Sequence, residues 1–214
     1  MNSKNDLILE ISRKNANINK FAKKIVDDPE LRDEIVNLML NHPQIMVYYH
    51  SYYIISRAAK LHPHLFYKYW DDFRSLLNHE NSYHRDFALF LLANLTRVDR
   101  EDKFYPLFED YFSHIHDQKF STAQKCIKNT SIILENKEKL REKIINILLY
   151  MDKKSNFPEK QKALLKADII QVFSHIYPHL KDKKQVNDFV KAQLNSRSPK
   201  TRKNAKEFVE NYLL

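Results

Sequence analysis

Glycine is absent from all 214 positions of the chain. An average protein contains about 7% glycine, and several phosphate-binding loops need it for positive φ angles and for close approach of the backbone to phosphate. The absence therefore excludes Walker loops, dinucleotide-binding fingerprints and the glycine-rich loop of kinases. We predict that the chain uses no cofactor.

Cysteine and long apolar runs are also scarce. Cys126 is the single cysteine, so an intramolecular disulfide and a cysteine-based zinc site are excluded. No apolar run approaches the ~20 residues that span a bilayer, and the short apolar stretch at residues 7–11 is interrupted by Glu10. These features predict a cytoplasmic protein that makes no contact with a membrane.

The positive charge of the chain is concentrated in its second half. The net charge is +9, with 15 Lys and Arg against 14 Asp and Glu in residues 1–107, and 21 against 13 in residues 108–214. The second half therefore carries +8 of the excess. A surface of this sign attracts anionic partners.

The apolar residues recur at intervals of three and four positions, which predicts helices throughout and no strand. Prolines mark helix starts, as in Asp28-Pro29 and Ser198-Pro199, where an N-cap residue precedes proline. We predict an all-α protein of roughly eleven helices. Because glycine is missing, three Leu-Asn pairs indicate helices that end at a left-handed asparagine, namely Asn41, Asn78 and Asn195.

A helix with the same apolar pattern recurs along the chain. Small or matching residues are spaced by 36, 36, 35, 40 and 42 positions, and a basic or aromatic residue stands three positions before each; they are Ala16, Tyr52, Ala88, Ala123, Ala163 and Ala205. Periods of this length indicate paired helices that pack only against neighbouring pairs. The predicted units are 1–42, 43–79, 80–116, 117–155 and 156–195, followed by a terminal helix at 196–214, in a single array over 1–214.

Two segments, "NSYHRDFALFLLANL" and "SRSPKTRKNAKEFVENYL", resemble the second helix of HEAT repeats, in which an arginine precedes an alanine by three residues. The resemblance implies a right-handed α-α superhelix, a HEAT-like solenoid of about five helical pairs with an additional N-terminal helix. The C-terminal half also resembles small uncharacterised prokaryotic HEAT-repeat proteins, through "LLANLTRVD" and the second segment quoted above. That group carries no chemistry to transfer.

The triplet His84-Arg85-Asp86 matches the start of a kinase catalytic loop, but position 91, where the kinase motif has a metal-binding asparagine, is Leu91. We interpret the triplet as the first turn of a helix capped by Asn81 or Ser82. The ten histidines lack a cysteine cluster, which favours surface and capping roles over a metal site. Cys126 beside Ile127 is typical of a small buried residue. No catalytic or metal-binding residue is predicted.

Aromatic residues are concentrated between positions 48 and 90, and two roles are open for them. Most are expected to fill the core between adjacent helices. The tyrosines at positions 48, 49, 52 and 53 cover too broad an arc of one helix for a single buried stripe, so some should reach the surface. The candidate anchors for a partner are Tyr49, Tyr53 and Trp70.

Basic residues recur on the later second-of-pair helices, and they form the candidate binding site for an anionic partner: Lys125, Lys128, Lys162, Lys166, Lys200, Arg202, Lys203 and Lys206. A positive stripe of this kind is similar to that of the HEAT-like DNA alkylpurine glycosylases, which hold the phosphate backbone with it. The residues around Trp70 do not reproduce a catalytic motif of that family. The alternative is that these lysines only solvate an elongated protein.

Two functions follow as hypotheses. The first is a non-enzymatic scaffold or adaptor that binds a protein partner on a concave surface, since repeat arrays offer long surfaces. The second is nucleic-acid binding through a basic inner stripe in the C-terminal half, related to alkylation repair. The first hypothesis requires exposed aromatic anchors for a protein partner, and the second requires an exposed basic surface for phosphate groups.

Overall fold

The computed structural model describes residues 4–214, and in that range it contains thirteen α-helices, six 3-10 segments and no strand. The helices are α1 Lys4–Ser12, α2 Ile18–Asp27, α3 Pro29–Asn41, α4 Ile45–Leu61, α5 Trp70–Ser75, α6 Ser82–Leu95, α7 Phe104–Ser113, α8 Phe120–Asn136, α9 Arg141–Leu149, α10 Met151–Lys154, α11 Glu159–Ile176, α12 Lys184–Ala192 and α13 Pro199–Tyr212. The all-α prediction is confirmed. No helix among these residues has the length and apolar character needed to cross a bilayer.

The helix number exceeds the predicted eleven because short pieces stand next to 3-10 segments. The 3-10 segments are Pro63–Tyr69, Leu76–Asn78, His114–His116, Glu138–Leu140, Tyr177–His179 and Gln193–Asn195. They separate pieces such as α5, which has six residues. A pattern of apolar spacing does not resolve such tight turns, since three- and four-residue intervals occur on both sides of them.

The chain divides into two compact units, Met1–Phe104 and Tyr105–Leu214. The second unit has 21 basic and 13 acidic residues, a difference of +8, whereas the first has 15 and 14, a difference of +1. The unit boundary therefore coincides with the change in charge along the sequence. The single array over 1–214 stays a prediction.

In the first unit, α4 is the central helix and packs against α1, α2, α3 and α6. Arg57 of α4 donates a hydrogen bond to Asn19 of α2 at 2.8 Å, and the His50 ring lies 2.6 Å from the carbonyl oxygen of Ile11 in α1. The paired positions are 38 and 39 residues apart. Because both partners advance in the same order along the chain, the segment from α1 into α2 runs in the same direction as α4, about one repeat period away.

In the second unit, α11 lies between α8 and α13. The hydroxyl of Thr201 donates to the carbonyl of Ala163 at 2.6 Å, and the Tyr212 hydroxyl donates to the carbonyl of Ser174 at 2.9 Å. Both pairs are separated by 38 residues. The helices α11 and α13 are therefore parallel and keep one register over three turns.

Helix starts follow the predicted chemistry. The side chain of Asp28 accepts a hydrogen bond from the backbone N–H of Leu31 at 2.9 Å, and Asn81 accepts one from Tyr83 at 3.0 Å. Each cap satisfies a backbone donor in the first turn, which has no carbonyl partner within the helix. The triplet that begins at His84 therefore lies in the first turns of α6, as predicted.

Helix ends differ from the prediction. Within residues 4–214, Asp102 is the only residue with positive φ, at 55°. The predicted left-handed ends are therefore wrong for Asn41, Asn78 and Asn195. The chain instead leaves these helices through an extended residue, and two of the three ends first tighten into a 3-10 turn, as where the His79 N–H bonds the carbonyl of Leu76 at 3.1 Å. A 3-10 turn satisfies terminal carbonyls at negative φ, which any residue adopts.

Arginines in the first turn of a helix cover carbonyls in the last turn of the preceding helix or in the connection between the two. Arg85 and Arg202, which stand three residues before repeat alanines, each donate from Nη1 to the carbonyls six and five residues earlier, at 2.8 and 2.9 Å and at 2.7 and 3.2 Å respectively. Arg32 and Arg141 reach carbonyls seven residues back, at 2.6 and 2.9 Å. Hydrogen bonds from a charged donor are the stronger ones. We call this contact the arginine clamp.

Replacing Arg202 by methionine removes one clamp and keeps most of the aliphatic stem. We expect the free energy of unfolding to fall by about 2 kcal/mol, since two carbonyls lose a charged donor. Urea denaturation followed by circular dichroism measures it. The control is Lys203→Met, because exposed Lys203 pairs with Glu207 only at 3.7 Å, and such pairs contribute about 0.5 kcal/mol or less. Equal effects of the two substitutions would show that the clamp is not stabilising.

Candidate functional site

Asp168 is a fully buried carboxylate, 0% exposed, on the central helix of the second unit. Lys200 of α13 donates to its Oδ1 at 2.8 Å, Lys128 of α8 has its Nζ 3.9 Å from the same oxygen, and Gln124 of α8 donates to Oδ2 at 2.7 Å. Three adjacent helices thus meet at one carboxylate. The two ammonium groups neutralise its charge, which permits its burial.

Three other candidate lysines also pair with acidic side chains of the chain. Lys162 contacts Glu159 at 3.1 Å, Lys166 contacts Asp152, and Lys203 contacts Glu207. The Lys162 ammonium, through a hydrogen bond, lowers the pKa of Glu159. Of the eight basic candidates, five are thus paired with carboxylates, and Arg202 forms an arginine clamp.

Lys125 and Lys206 remain as exposed candidates for which the described part of the chain provides no acidic partner. They lie on α8 and α13, on either side of α11. The predicted stripe is therefore interrupted by intramolecular pairs. Charge that is already neutralised attracts phosphate more weakly than free charge does.

Trp70 does not lie at the surface. It is 2% exposed at the start of α5 and packs against the Tyr67 ring, with 5.7 Å between ring centroids. The prediction of Trp70 as a surface anchor is wrong, because its large apolar area is used in the core of the first unit. Most other aromatics of this region are buried as well, which agrees with the alternative of core filler: Tyr48, Tyr52, Phe66, Tyr69, Phe73 and Phe87.

Three tyrosines form a surface group that we call the tyrosine cluster: Tyr49, Tyr53 and Tyr83. The Tyr49 ring meets Tyr53 at 90° and 4.9 Å between centroids, and it meets Tyr83 at 76° and 5.3 Å. The Tyr53 hydroxyl donates to the Tyr49 hydroxyl at 3.1 Å. Tyr53 and Tyr83 are 36% and 46% exposed. The two predicted anchors Tyr49 and Tyr53 are thus brought together at the surface.

Tyr83 was not among the predicted anchors. It lies in the first turn of α6 and reaches Tyr49 from 34 positions away, close to the 35- and 36-residue spacings of the repeat. The repeat spacing applied to Tyr49 is the signal that would have found it. Contacts between successive repeats join positions about one period apart.

An apolar side chain extends this surface along α4. Ile45 is 58% exposed and lies four positions before Tyr49, which lies four positions before Tyr53. Residues four apart stand next to each other along a helix. We call the residues Ile45, Tyr49 and Tyr53 the α4 row. Leu61 is 77% exposed at the end of α4 but is not part of the row, because at about 3.6 residues per turn it faces about 160° away from Ile45.

Two tyrosines of this surface have a raised pKa. The hydrogen bond with Tyr53, burial and the charges of neighbouring groups raise the pKa of Tyr49 to about 12. Burial raises the pKa of Tyr52. The Tyr49 phenol therefore stays neutral across the physiological range.

Cys126 lies in the core of the second unit, 0% exposed, and its thiol donates to the carbonyl of Tyr111 at 3.4 Å. Burial raises the pKa of the thiol well above its usual value, so it stays protonated. The interpretation of Cys126 as a small buried residue is confirmed. Among residues 4–214, no three His, Cys, Asp or Glu side chains group as metal ligands.

An open cleft of about 690 Å³ in the second unit was not predicted. It is lined by the apolar side chains of Ile145, Leu149, Leu180 and Val186 and by side chains of both signs of charge, with Glu138, Glu142 and Asp182 against Lys139, Arg141 and Lys181. The lining comes from α9 with the 3-10 segment before it and from residues 179–186. A lining of balanced charge selects no charge class of ligand.

No protein-family model matches this chain, and no curated protein is significantly similar to it in sequence.

Replacing Asp168 by asparagine tests whether this carboxylate joins α8, α11 and α13. We expect the free energy of unfolding to fall by about 2 kcal/mol, at the low end for a broken buried pair because both lysines are partly exposed. Urea denaturation measures it. The control Asp188→Asn, at an exposed position of α12, should change stability by less than about 0.5 kcal/mol. An equally small effect at position 168 would contradict the assignment.

Proposed function

We propose that the chain is a HEAT-like helical-repeat scaffold that binds a protein partner through the α4 row and the tyrosine cluster. The observation that carries the proposal is the group of exposed large side chains on neighbouring turns of α4 and at the start of α6, namely Ile45, Tyr53 and Tyr83. Monomeric proteins rarely leave contiguous apolar patches in water unless a partner covers them.

The HEAT-like part of the proposal is supported by the spacing of the contacts. Within the first unit, α2 and α4 meet through positions 38 residues apart, and within the second unit α11 and α13 meet through the same separation. Arg85 and Arg202, the residues that carry the resemblance, form equivalent clamps. Equal local structure at equal spacing is typical of a repeat array, and we extend it to a right-handed superhelix of about five helical pairs.

The binding part of the proposal is supported by residue type. Tyrosine is enriched at interface hot spots because it buries a large area with few rotatable bonds and keeps a polar end for solvent. The tyrosine cluster provides two exposed rings held by contact with Tyr49. Rings that are already ordered lose little conformational entropy when a partner binds.

Site-specific photo-crosslinking in cells of the source organism tests this proposal. A benzophenone amino acid placed at Tyr53 should form a discrete covalent adduct with one partner, whereas the same group at Tyr150, which is 49% exposed in the second unit, should not. Adding Ile45→Asp to the Tyr53 probe should reduce the adduct at least about tenfold, since a buried charge at an interface costs several kcal/mol. Equal adducts at positions 53 and 150 would contradict the proposal.

Nucleic-acid binding is the second candidate, and the charge of +8 on residues 105–214 favours it. The five lysine–carboxylate pairs argue against a strong phosphate-binding stripe. Lys125 and Lys206 are the residues left to contact phosphates. A truncation of Arg202 does not test this function cleanly, because it also removes an arginine clamp.

Fluorescence anisotropy with duplex and single-stranded DNA at two salt concentrations tests the second candidate. If it holds, the Lys125→Ala/Lys206→Ala variant should reduce the slope of log K against log salt by up to about two for duplex DNA. Asp168→Asn should increase affinity, since it releases Lys128 and Lys200. Glu210→Gln on the exposed face of α13 also adds one positive charge and serves as the matched control. Binding that is absent at low salt, or insensitive to all these changes, would exclude nucleic acid.

A further inference from the structure

Two histidines stack face to face where the chain enters α6. The His79 ring lies in the connection before the helix and the His84 ring in its first turn, with 4.2 Å between the ring centroids and 19° between the planes. His84 is buried and also contacts the Tyr48 ring of α4 at 4.7 Å. Tyr48 and His84 directly adjoin Tyr49 and Tyr83 in the chain. The stack therefore joins α6 to α4 next to the tyrosine cluster.

Hydrogen bonds define the proton positions on both rings. Nδ1 of His79 accepts the backbone N–H of Asn81 at 3.0 Å, so the proton of this ring is on Nε2. Nδ1 of His84 is buried without a partner, whereas the ring forms a hydrogen bond with the carbonyl of Met39 in α3. The proton of His84 is therefore on Nε2 as well, because a buried N–H without an acceptor is costly. Both imidazoles are neutral in this arrangement.

A second proton has no favourable place on either ring. On His79 it would occupy the nitrogen that accepts from Asn81 and would break that hydrogen bond. On His84 it would place a charged donor in the interior without an acceptor. With both rings protonated, two like charges would face each other at the stacking distance of 4.2 Å. Acid therefore opposes the stack.

Asn81 connects the stack to both helices. Its side-chain oxygen caps α6 by accepting the N–H of Tyr83 at 3.0 Å, and its Nδ2 donates to the Tyr48 hydroxyl at 3.1 Å. Because the backbone N–H of the same residue bonds to His79, one residue holds the connection, the first turn of α6 and α4 together. Loss of the His79 contact therefore loosens the position of Tyr83, whose ring meets that of Tyr49 at 5.3 Å.

The surroundings of His84 favour its neutral form. Burial, followed by the charge of His79, lowers the pKa of His84, and the hydrogen bond with Met39 opposes this shift. A histidine whose pKa is lowered by folding stabilises the folded state above its unfolded pKa of about 6.5, and this contribution is lost as the pH falls below that value. Tyr48 faces the stack from α4. The charged residues next to the stack in the chain are of both signs: Glu80, Arg85 and Asp86.

We propose that the stacked rings of His79 and His84 form a pH-sensitive latch, which holds Tyr83 and the start of α6 against α4 at neutral pH and releases them in acid. We call the two rings, together with Asn81, the histidine latch. Its release separates Tyr83 from Tyr49, so a partner bound at the tyrosine cluster dissociates in acid. This consequence for binding rests on the proposed function, whereas the latch is a property of the chain alone.

Nuclear magnetic resonance of the full chain, labelled with ¹³C at the histidine and tyrosine rings, tests the latch without a partner between about pH 7.5 and about pH 5. At the higher pH we expect a nuclear Overhauser contact between the Tyr49 and Tyr83 rings. At least half of its intensity should be lost as the His84 ring titrates. The contact between Tyr177 and Tyr212 in the second unit, at 4.7 Å between centroids, is the internal control and should persist.

Two substitutions remove the titration and keep the hydrogen bonds. His79→Asn retains a side-chain acceptor for the N–H of Asn81, and His84→Gln retains a donor for the carbonyl of Met39. The combined variant should keep the tyrosine contact at about pH 5. Each single variant should shift the loss to lower pH, which keeps the test decisive if the combined variant does not fold. His116→Gln, which removes another histidine whose pKa is lowered by burial, should leave the loss unchanged.

An intact contact between Tyr49 and Tyr83 at about pH 5 would overturn the inference, and so would the same loss in the single and combined variants as in the unsubstituted chain. Parallel loss of the contact between Tyr177 and Tyr212 would overturn it too, because it would indicate acid unfolding of the whole chain. Photo-crosslinking separates the two proposals. If position 53 forms no adduct but the tyrosine contact titrates, the protein-binding function is rejected and the latch stands. If the adduct forms and the contact persists in acid, only the latch is rejected.

Discussion

The arginine clamp is the interaction on which the rest of the fold depends. Without glycine, nearly every helix end in residues 4–214 must turn at negative φ, which leaves terminal carbonyls that a left-handed residue would otherwise help to satisfy. Arg32 and Arg141 supply donors to carbonyls in the last turn of the preceding helix, and Arg85 and Arg202 supply donors to carbonyls of the connection that follows a helix end. The clamp thus holds the start of each of these helices to the chain that precedes it.

The two units differ in the side chains that their neighbouring helices bring together. In the second unit, the polar contacts at Asp168 join three helices and neutralise the charges of Lys128 and Lys200. In the first unit, aromatic and apolar side chains of α4 and α6 remain partly exposed. The distribution of net charge predicted a site for an anionic partner in the second half, and the aromatic residues predicted partner anchors in the first. Five of the eight basic candidates are paired with carboxylates, because charge counted along a sequence does not show which charges are paired.

The sequence was sufficient to predict the features that depend on contacts between residues close together in the chain. The helical class and the caps at Asp28 and Asn81 follow from contacts within about one turn, so spacing and residue type predict them. It was insufficient where partners lie a repeat apart. The pairing of Lys200 with Asp168 spans 32 residues and that of Tyr49 with Tyr83 spans 34, and the burial of Trp70 depends on how neighbouring segments pack around it. The left-handed asparagines were a wrong prediction because a helix can also end at negative φ, through a 3-10 turn as at Asn78 and Asn195 or directly through an extended residue as after Asn41.

The absence of glycine also has an effect before folding begins. A glycine gives an unfolded chain more backbone conformations than any other residue does. At a position whose native conformation another residue can adopt, a glycine therefore lowers the free energy of unfolding by about 0.4–1 kcal/mol relative to that residue. This chain has no such positions, so its disordered ensemble is narrower than that of an average sequence of equal length. Part of the stability of these short helices therefore comes from how little freedom they lose.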